Sequence, residues 1–159
     1  MANNFNSEQL VEHAWKYFIL HSTQRMTLFN YFLFIMAALG AGLGAILQAS
    51  NKLEYMGVYL SFFVVIVSII FWKLDQRTSF LIKQSENVLV DLEVRLGNGI
   101  GIFCNEENNL SEQNSNRFSL NKIITYGKIF RFTFFITGTV GVMGIIMFVL
   151  KILECTPAS

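Results

Sequence analysis

The side chains best suited to chemistry lie close to the N-terminus. His13, Tyr17, His21 and Arg25 follow one another at intervals of four residues, so a helix would carry them on one face. A helical metal site needs two histidines one turn apart, whereas these two are two turns apart with Tyr17 between them. A HEPN-type ribonuclease needs a His shortly after an Arg, and both histidines precede the first arginine. We therefore expect no enzyme activity, no metal site and no cofactor.

Two structural interpretations of these four residues stay open. They form either a polar seam that fixes the register of packed helices or a ring of basic groups at the mouth of a pore, contributed once per copy. A second polar cluster contains Asp75, which we expect to be ion-paired with its helix neighbours or with Arg25. Asn30 should hydrogen-bond across a helix interface, because lipid offers it no partner. The predicted pore or inter-helix polar network is His13, Tyr17, His21, Arg25, Asn30, Asp75 and Arg77.

The elements that must position these residues are membrane helices. The sequence is 53% hydrophobic and only 14% charged, against roughly 25% charge in soluble domains. Residues 26–51 contain 26 uncharged residues in succession, where a bilayer core needs about 20. Uncharged runs also cover 55–72 and 132–150. We predict an all-α membrane protein, a single membrane domain over 1–159, with transmembrane helices at 26–47, 55–72 and 132–150.

The distribution of Lys and Arg predicts the orientation of the chain. With the N-terminus inside, ten of these residues lie on the inner side and two on the outer side, as the positive-inside rule requires. We predict a multi-pass protein of the bacterial inner membrane with a cytoplasmic N-terminus and an external C-terminus. The formal net charge of +1 argues against direct nucleic-acid binding, which usually needs a basic patch.

Helical segments are expected to extend the spans into the cytoplasm. An interfacial helix is predicted over 7–25, and the helix of the second span is predicted to continue over 73–96. Residues 97–118, rich in Gly, Asn, Glu and Ser, are predicted to form a mobile cytoplasmic loop. Residues 119–131 are predicted to begin the last helix, with Ser119 as its cap. The apolar oligomer seam on 73–96, which assembly would cover, is Ile82, Leu89, Leu92 and Leu96.

Small residues give two of the spans a face suited to close packing. Gly40 and Gly44 lie one turn apart in the first span, and packing within one copy or between copies both stay open. The third span carries a small, weakly polar stripe that either packs against another helix or lines a narrow aqueous lumen. The residues of that stripe are Thr137, Gly138, Thr139, Gly141 and Gly144.

Two stretches of the chain resemble a known family. They are Glu12–Asn30, EHAWKYFILHSTQRMTLFN, and Phe71–Glu93, FWKLDQRTSFLIKQSENVLVDLE. Together they resemble the RipA-type family of octameric bacterial membrane proteins, which includes the accessory pore protein encoded beside the RNA-guided RNase of type VI-B CRISPR systems. The matching positions are Trp15, His21, Gln24, Arg25 and Asn30 in the first stretch and Lys73, Leu74, Asp75, Arg77, Glu86 and Glu93 in the second.

The resemblance implies a homo-oligomeric ring, an octamer, with cytoplasmic helices around the mouth of a membrane pore. It further implies a pore that depolarises the inner membrane and strengthens phage defence. Membrane lipid and other copies of the chain are the implied partners, with an RNA-guided CRISPR RNase as a functional partner. Family members have been discussed as divergent HEPN proteins, but this sequence lacks the Arg-to-His motif.

The leading functional hypothesis is a homo-oligomeric pore that permeabilises or depolarises the membrane as an anti-phage effector. It accounts for a long apolar seam and three membrane spans in a chain that has no recognisable set of catalytic residues. One alternative is a non-conducting membrane anchor or scaffold whose cytoplasmic helices dock a soluble partner. Another is a two-span SLATT-like effector with an added third span.

Overall fold

The computed structural model describes residues 7–49, 53–96, 101–115 and 124–155, and within them the protein is all-helical. The helices are α1 (Ser7–Gln48), α2 (Glu54–Leu96), α3 (Ile102–Ser115) and α4 (Tyr126–Cys155). Three of them, α1, α2 and α4, are long and apolar enough to cross a membrane. The prediction of three membrane-length helices is confirmed.

The first two helices are much longer than a membrane is thick. α1 has 42 residues and α2 has 43, so each is about 64 Å long at 1.5 Å per residue, against a hydrocarbon core of about 30 Å. The predicted segments 7–25 and 26–47 are therefore one continuous helix. The predicted segments 55–72 and 73–96 are likewise joined in α2. About half of each helix extends beyond its apolar segment.

The prediction of a mobile loop over 97–118 is wrong for the greater part of that segment, because α3 occupies Ile102–Ser115. Its first turn is capped by a residue of another helix. The Glu93 carboxylate of α2 accepts hydrogen bonds from the backbone N–H groups of Ile102, Phe103 and Cys104, which have no partner inside their own helix. Residues 97–100 and 116–118 of the predicted loop lie outside the described residues.

The last helix begins later than predicted. Ile124 and Thr125 are not helical, and α4 starts at Tyr126. Thr125, a residue of a type that caps helices, lies directly before the first helical residue. Ser119, chosen as the cap from the sequence, lies outside the described residues.

The chain forms two compact units, where a single domain over 1–159 was predicted. The first unit combines Met1–Arg25 with Gln76–Tyr126, and the second combines Met26–Asp75 with Gly127–Ser159. The divisions at Arg25 and Asp75 fall within a few residues of the predicted span ends. The second unit thus holds the three apolar segments, and the first holds α3 with the remaining parts of α1 and α2.

An aromatic cluster forms the core of the second unit near Arg131 and Asp75. Phe32 of α1 is 1% exposed and packs with Phe134 of α4 at a ring-centroid distance of 4.7 Å. Phe29 stacks on Phe130 at 4.0 Å, and Phe71 of α2 lies 5.4 Å from Phe32. These rings join α1, α2 and α4 at one level, in the geometries that aromatic pairs favour.

Further along the second unit, α2 and α4 approach each other closely and run antiparallel. A Cβ added to Gly144 would lie 2.7 Å from Ser61 Oγ, and one added to Gly141 would lie 2.8 Å from Val65 Cγ2. One added to Gly57 of α2 would lie 2.5 Å from the Phe148 ring. The two helices can come this close only because these positions have no side chain.

The first unit has a smaller aromatic contact. Phe103 of α3 lies 6.3 Å from the Trp15 ring and 5.8 Å from the Phe18 ring of α1, edge to face in both cases. Ala14 of α1 and Leu89 of α2 are buried. The side chains that join α3 to α1 are therefore at the start of α3, next to the cap formed by Glu93.

Adding a methyl group to Gly141 tests the close contact between α2 and α4. In Gly141→Ala the Cβ would also lie 3.1 Å from the Ser61 carbonyl oxygen, a backbone atom that moves only with the whole helix. We expect a loss of about 1–3 kcal/mol of stability through overpacking, measured as a lower midpoint of thermal unfolding in detergent. Gly40→Ala is the matched control, because nothing lies within 4 Å of a Cβ there. Equal midpoints for the two variants would contradict the packing described.

Candidate functional site

The structure brings together some of the four polar residues predicted to share one face of α1, here called the ladder: His13, Tyr17, His21 and Arg25. The rings of Tyr17 and His21 lie edge to face at 4.3 Å, and His21 Nδ1 lies 3.2 Å from Gln24 Oε1, a hydrogen bond in which the ring nitrogen donates. His13 is exposed, and Tyr17 and His21 are half-buried. No group of three or more His, Cys, Asp and Glu side chains in the described part of the chain is arranged to hold a metal ion.

Charged groups converge on Glu86 inside the first unit. Glu86 is half-buried, and burial raises the pKa of its carboxyl. The charge of Lys83, whose Nζ lies 3.7 Å from Glu86 Oε2, lowers that pKa; Glu106 raises it and Arg25 lowers it. Arg25 of the ladder thus acts on Glu86 of the second family-like stretch. The ion pair of Lys83 with Glu86 lies within α2.

Asp75 has a partner that the sequence analysis did not name. Asp75 is 4% exposed, and its Oδ2 lies 3.5 Å from Arg131 Nε of α4. The prediction offered its helix neighbours or Arg25 as partners. Arg131 was missed, although it directly precedes the apolar run that begins at Phe132, just as Asp75 closely follows the run that ends at Trp72. Counting residues from the two span ends would have placed these charges at one level of the membrane. Arg77, in the other unit, is exposed.

Glu93 matched the family in the sequence analysis, but its contact with α3 was not predicted. Its carboxylate accepts three N–H hydrogen bonds at 3.1 Å each, from Ile102, Phe103 and Cys104. Partial removal from water raises the pKa of this carboxyl, but the hydrogen bonds outweigh that effect and hold the pKa below its usual range. An anion at a helix N-terminus also interacts favourably with the helix dipole. Glu93 therefore ties α3 to α2.

Cys104 is part of the same junction. Its thiol donates to the Val90 carbonyl oxygen at 3.7 Å, and the side chain is half-buried. Burial raises the pKa of the thiol, and the negative charge of Glu93 adds to the effect. A thiol in this environment stays protonated at neutral pH, which suits packing better than nucleophilic chemistry.

The predicted oligomer seam is partly covered inside a single copy. Leu89 is 5% exposed, and Ser85 of the same helix is buried with its Oγ donating to the Ile82 carbonyl oxygen. Ile82 and Leu92 are half-buried. The side chain of Leu96 lies outside the described residues. Burial of Leu89 thus needs no second copy, and any role of the seam in assembly falls to its half-buried members.

The predicted stripe of the third span is divided between two faces. Gly141 and Gly144 face α2 as described above, and a Cβ at Gly138 would lie 3.6 Å from Ser68 Cβ. Thr137 is half-buried and donates to the Thr133 carbonyl oxygen at 2.7 Å; Thr139 is exposed and donates to Phe135 at 2.9 Å. Both hydroxyls return to the backbone of α4, as threonines in membrane helices often do.

Asn30, Gly40 and Gly44 of the first span lie away from the core of the second unit. Asn30 is exposed, and nothing lies within 4 Å of a Cβ built on Gly40 or Gly44. Gly42 instead faces α2, where a Cβ would lie 2.9 Å from Leu60 Cδ2. The Gly40 to Gly44 motif is therefore not used in packing between the described helices of one copy.

Removing the Glu93 carboxylate should release the first turn of α3. In Glu93→Gln we expect faster hydrogen exchange of the amides at 102–104, measured by mass spectrometry in detergent at neutral pH. The pKa of this group is lowered in the folded protein, so its contribution is present above the ordinary carboxyl pKa. That contribution is lost as the pH falls through the lowered value.

The matched control for Glu93 is Asp91→Asn, since Asp91 is an exposed acid on the same helix. It should leave exchange at 102–104 unchanged. Wild-type protection that survives acid below the lowered pKa would show that the carboxylate charge is not what holds α3.

The Asp75–Arg131 pair should show energetic coupling. We expect Asp75→Ala and Arg131→Ala each to lower the thermal midpoint in detergent, and the double variant to lose less than the sum. Arg131 is half exposed, so the coupling should be modest, about 1 kcal/mol. Lys151→Ala is the control partner, because Lys151 of α4 lies 3.9 Å from Glu54. Strict additivity for Asp75 with Arg131 would contradict the pairing.

Comparison with known proteins agrees with the resemblance at the level of the octameric family. The model of the octameric membrane protein family (8xMP) matches residues 8–149, which take in all of α2 and α3 and most of α1 and α4. CD-NTase-associated protein 19 of Escherichia coli is 41% identical over 142 residues, covering 89% of this chain and 92% of that protein. No solved structure matches the chain. This chain belongs to the octameric membrane protein family.

Proposed function

We propose that this protein forms a homo-octameric pore in the bacterial inner membrane and acts as an effector of anti-phage defence. The observation that carries the proposal is the family match over 8–149, because it unites three membrane-length helices per copy with octameric assembly. The N-terminus lies in the cytoplasm and the C-terminus outside, as the ten inner and two outer Lys and Arg residues favour.

A pore has to be formed between copies. Within one copy, phenylalanines fill the space between α1, α2 and α4 at one end of the second unit, and glycine contacts close the gap between α2 and α4 further along. Side chains packed this densely leave no path for ions. A ring of copies can enclose a lumen at its axis, which is how small membrane subunits make channels.

The name of the Escherichia coli relative supports a particular defence context. That protein is called CD-NTase-associated, which links it to a nucleotidyltransferase. By this likeness the present chain acts in a CBASS-type system, where it depolarises the membrane after the nucleotidyltransferase responds to infection. The CRISPR context implied by the sequence resemblance, with an RNA-guided RNase as functional partner, is the competing version of the same effector role.

The non-conducting anchor is a second candidate, and the first unit favours it. That unit is compact by itself and carries exposed apolar side chains outside the apolar segments. Leu20 is 62% exposed, Phe80 67% and Val94 69%. Such residues can dock a soluble protein, and an anchor would use them without passing ions.

The two candidates differ in what happens to the membrane potential during infection. Cells would carry this chain with the CD-NTase of its system, or with a catalytically inactive form as control, and a potential-sensitive dye would report depolarisation after phage addition. We expect depolarisation only with the active enzyme. Light scattering of the solubilised protein, with detergent subtracted, should give eight times 18.1 kDa.

Three other outcomes would each change the conclusion. Phage protection without depolarisation, from an intact ring, would favour the anchor. Depolarisation that ignores the CD-NTase but follows a co-expressed RNA-guided RNase would favour the CRISPR context. A particle of one or two copies would contradict the octameric ring on which the pore depends.

A further inference from the structure

We propose that neighbouring copies in the ring contact each other through two different surfaces of the second unit. The exposed face of α1 that carries Asn30 and Phe34, here called the α1 face, lies in the groove between α2 and α4 of the next copy. The inference rests on the oligomer of the proposed function but not on conduction. It commits to one occupant of the groove, a second copy of this chain.

The α1 face is continuous and differs in composition from the other exposed surfaces of the second unit. Its members recur every three or four residues and are all exposed: Thr27, Asn30, Phe34, Ala37, Ala41 and Ala45. Outside the groove between α2 and α4, the exposed residues of these helices are mostly bulky, among them Phe62, Phe63 and Ile70 on α2 and Phe132, Met143 and Ile146 on α4. Bulky apolar side chains suit lipid, whereas small and weakly polar ones suit contact between helices.

Asn30 gives the strongest reason to cover the α1 face with protein. Its side chain is exposed and makes no hydrogen bond within the described residues, although it lies four residues inside the predicted span 26–47. A primary amide without a partner in hydrocarbon is unfavourable, because nothing there replaces the hydrogen bonds that it makes with water. Since the family is octameric, another copy is the partner at hand.

The groove between α2 and α4 contains a hydroxyl group that could be a hydrogen-bond partner for Asn30. It is open, has a volume of about 320 Å³, and is lined by Val65, Trp72, Phe135, Gly138 and Thr139 among others. Ser68 also lines it. The Ser68 side chain is 2% exposed, and its hydroxyl has no hydrogen-bond partner among the described residues. A buried hydroxyl without a partner is uncommon and calls for an explanation.

The two surfaces match in depth. Asn30 lies four residues from the start of its span at Met26, and Ser68 lies four residues from the end of its span at Trp72. The contacts of Phe32 with Phe71 and of Gly42 with Leu60 show that α1 and α2 run antiparallel. Asn30 and Ser68 are therefore both about 6 Å from the same membrane surface at 1.5 Å per residue. The Asn30 amide and the Ser68 hydroxyl can each donate and accept. Phe34, 76% exposed, is one turn deeper, level with the apolar wall of the groove.

The arrangement also has the symmetry that a ring requires. A contact between two different surfaces repeats from copy to copy and closes into a ring when the rotation per copy divides a full turn, whereas a contact of one surface with itself stops at a dimer. The α1 face and the groove are different surfaces, since the residues that line the groove belong to α2 and α4 only.

Disulfide cross-linking tests the contact directly. Two differently tagged versions of the full chain, both with Cys104→Ser and Cys155→Ser, would be co-expressed, one with Phe34→Cys and the other with Thr139→Cys. We expect oxidation to give a mixed dimer carrying both tags, because the thiols would come within disulfide reach. Val140→Cys is the matched control: Val140 is the next residue of α4, is 57% exposed, and does not line the groove.

A second variant removes the polar contact without adding bulk or charge. Asn30→Leu should reduce the octameric fraction of the solubilised particle severalfold. If the α1 face were in contact with lipid, the leucine would leave the octameric fraction unchanged or raise it. Ser68→Ala should weaken the octamer less, since it leaves the apolar contacts intact.

The outcomes separate this inference from the proposed function. An octamer that survives Asn30→Leu and gives no Phe34–Thr139 cross-link would overturn the contact and leave the pore standing, with lipid as the occupant of the groove. A cross-link between two Phe34→Cys chains, or equal cross-linking at Val140→Cys, would overturn it as well. A wild-type particle smaller than an octamer would overturn the ring itself.

Discussion

The close approach of α2 and α4 is the contact on which the second unit depends. Gly141 and Gly144 leave room for Ser61, which is 0% exposed, and the helices run side by side for several turns. This approach aligns charges at both ends of the pair, with Asp75 near Arg131 at one end and Glu54 near Lys151 at the other. Lipid gives no hydrophobic force between helices, so dense contact between small residues has to supply the attraction.

The first unit is governed by a different requirement, the satisfaction of backbone groups. Every helix leaves N–H groups without partners at its start, and a helix of 14 residues gains little from internal bonds alone. α3 is stabilised from outside itself, by the Glu93 carboxylate at its N-terminus and by the contact of Phe103 with Trp15 and Phe18. A polar segment can therefore be helical where its composition favours a loop.

The spans could be predicted from the sequence, whereas the contacts between helices could not. Hydrophobic length depends only on consecutive residues, so the three membrane-length helices could be predicted, and the family followed from two local motifs. The Glu93 cap joins residues about ten apart through space, and the pairing of Asp75 with Arg131 joins two helices distant in sequence. Neither leaves a periodic signal. The same limit applies to Gly141, because small residues look alike whether they face a helix of the same copy or a lumen.

Residues that are buried within one copy are not available for the contacts that form a ring. The sequence suggested Leu89 as a candidate for contact between copies, yet it is buried within a single chain, with only 5% of its surface exposed. Gly141 and Gly144 of α4 are likewise packed against α2. Apolar periodicity in the sequence indicates that a helix face is buried, but it does not indicate whether the same copy or another copy covers it. A polar side chain exposed at the depth of lipid is more informative, because its environment in the single copy does not meet its hydrogen-bonding needs. Asn30 is such a residue, and for that reason it says more about the neighbouring copy than any leucine in the chain.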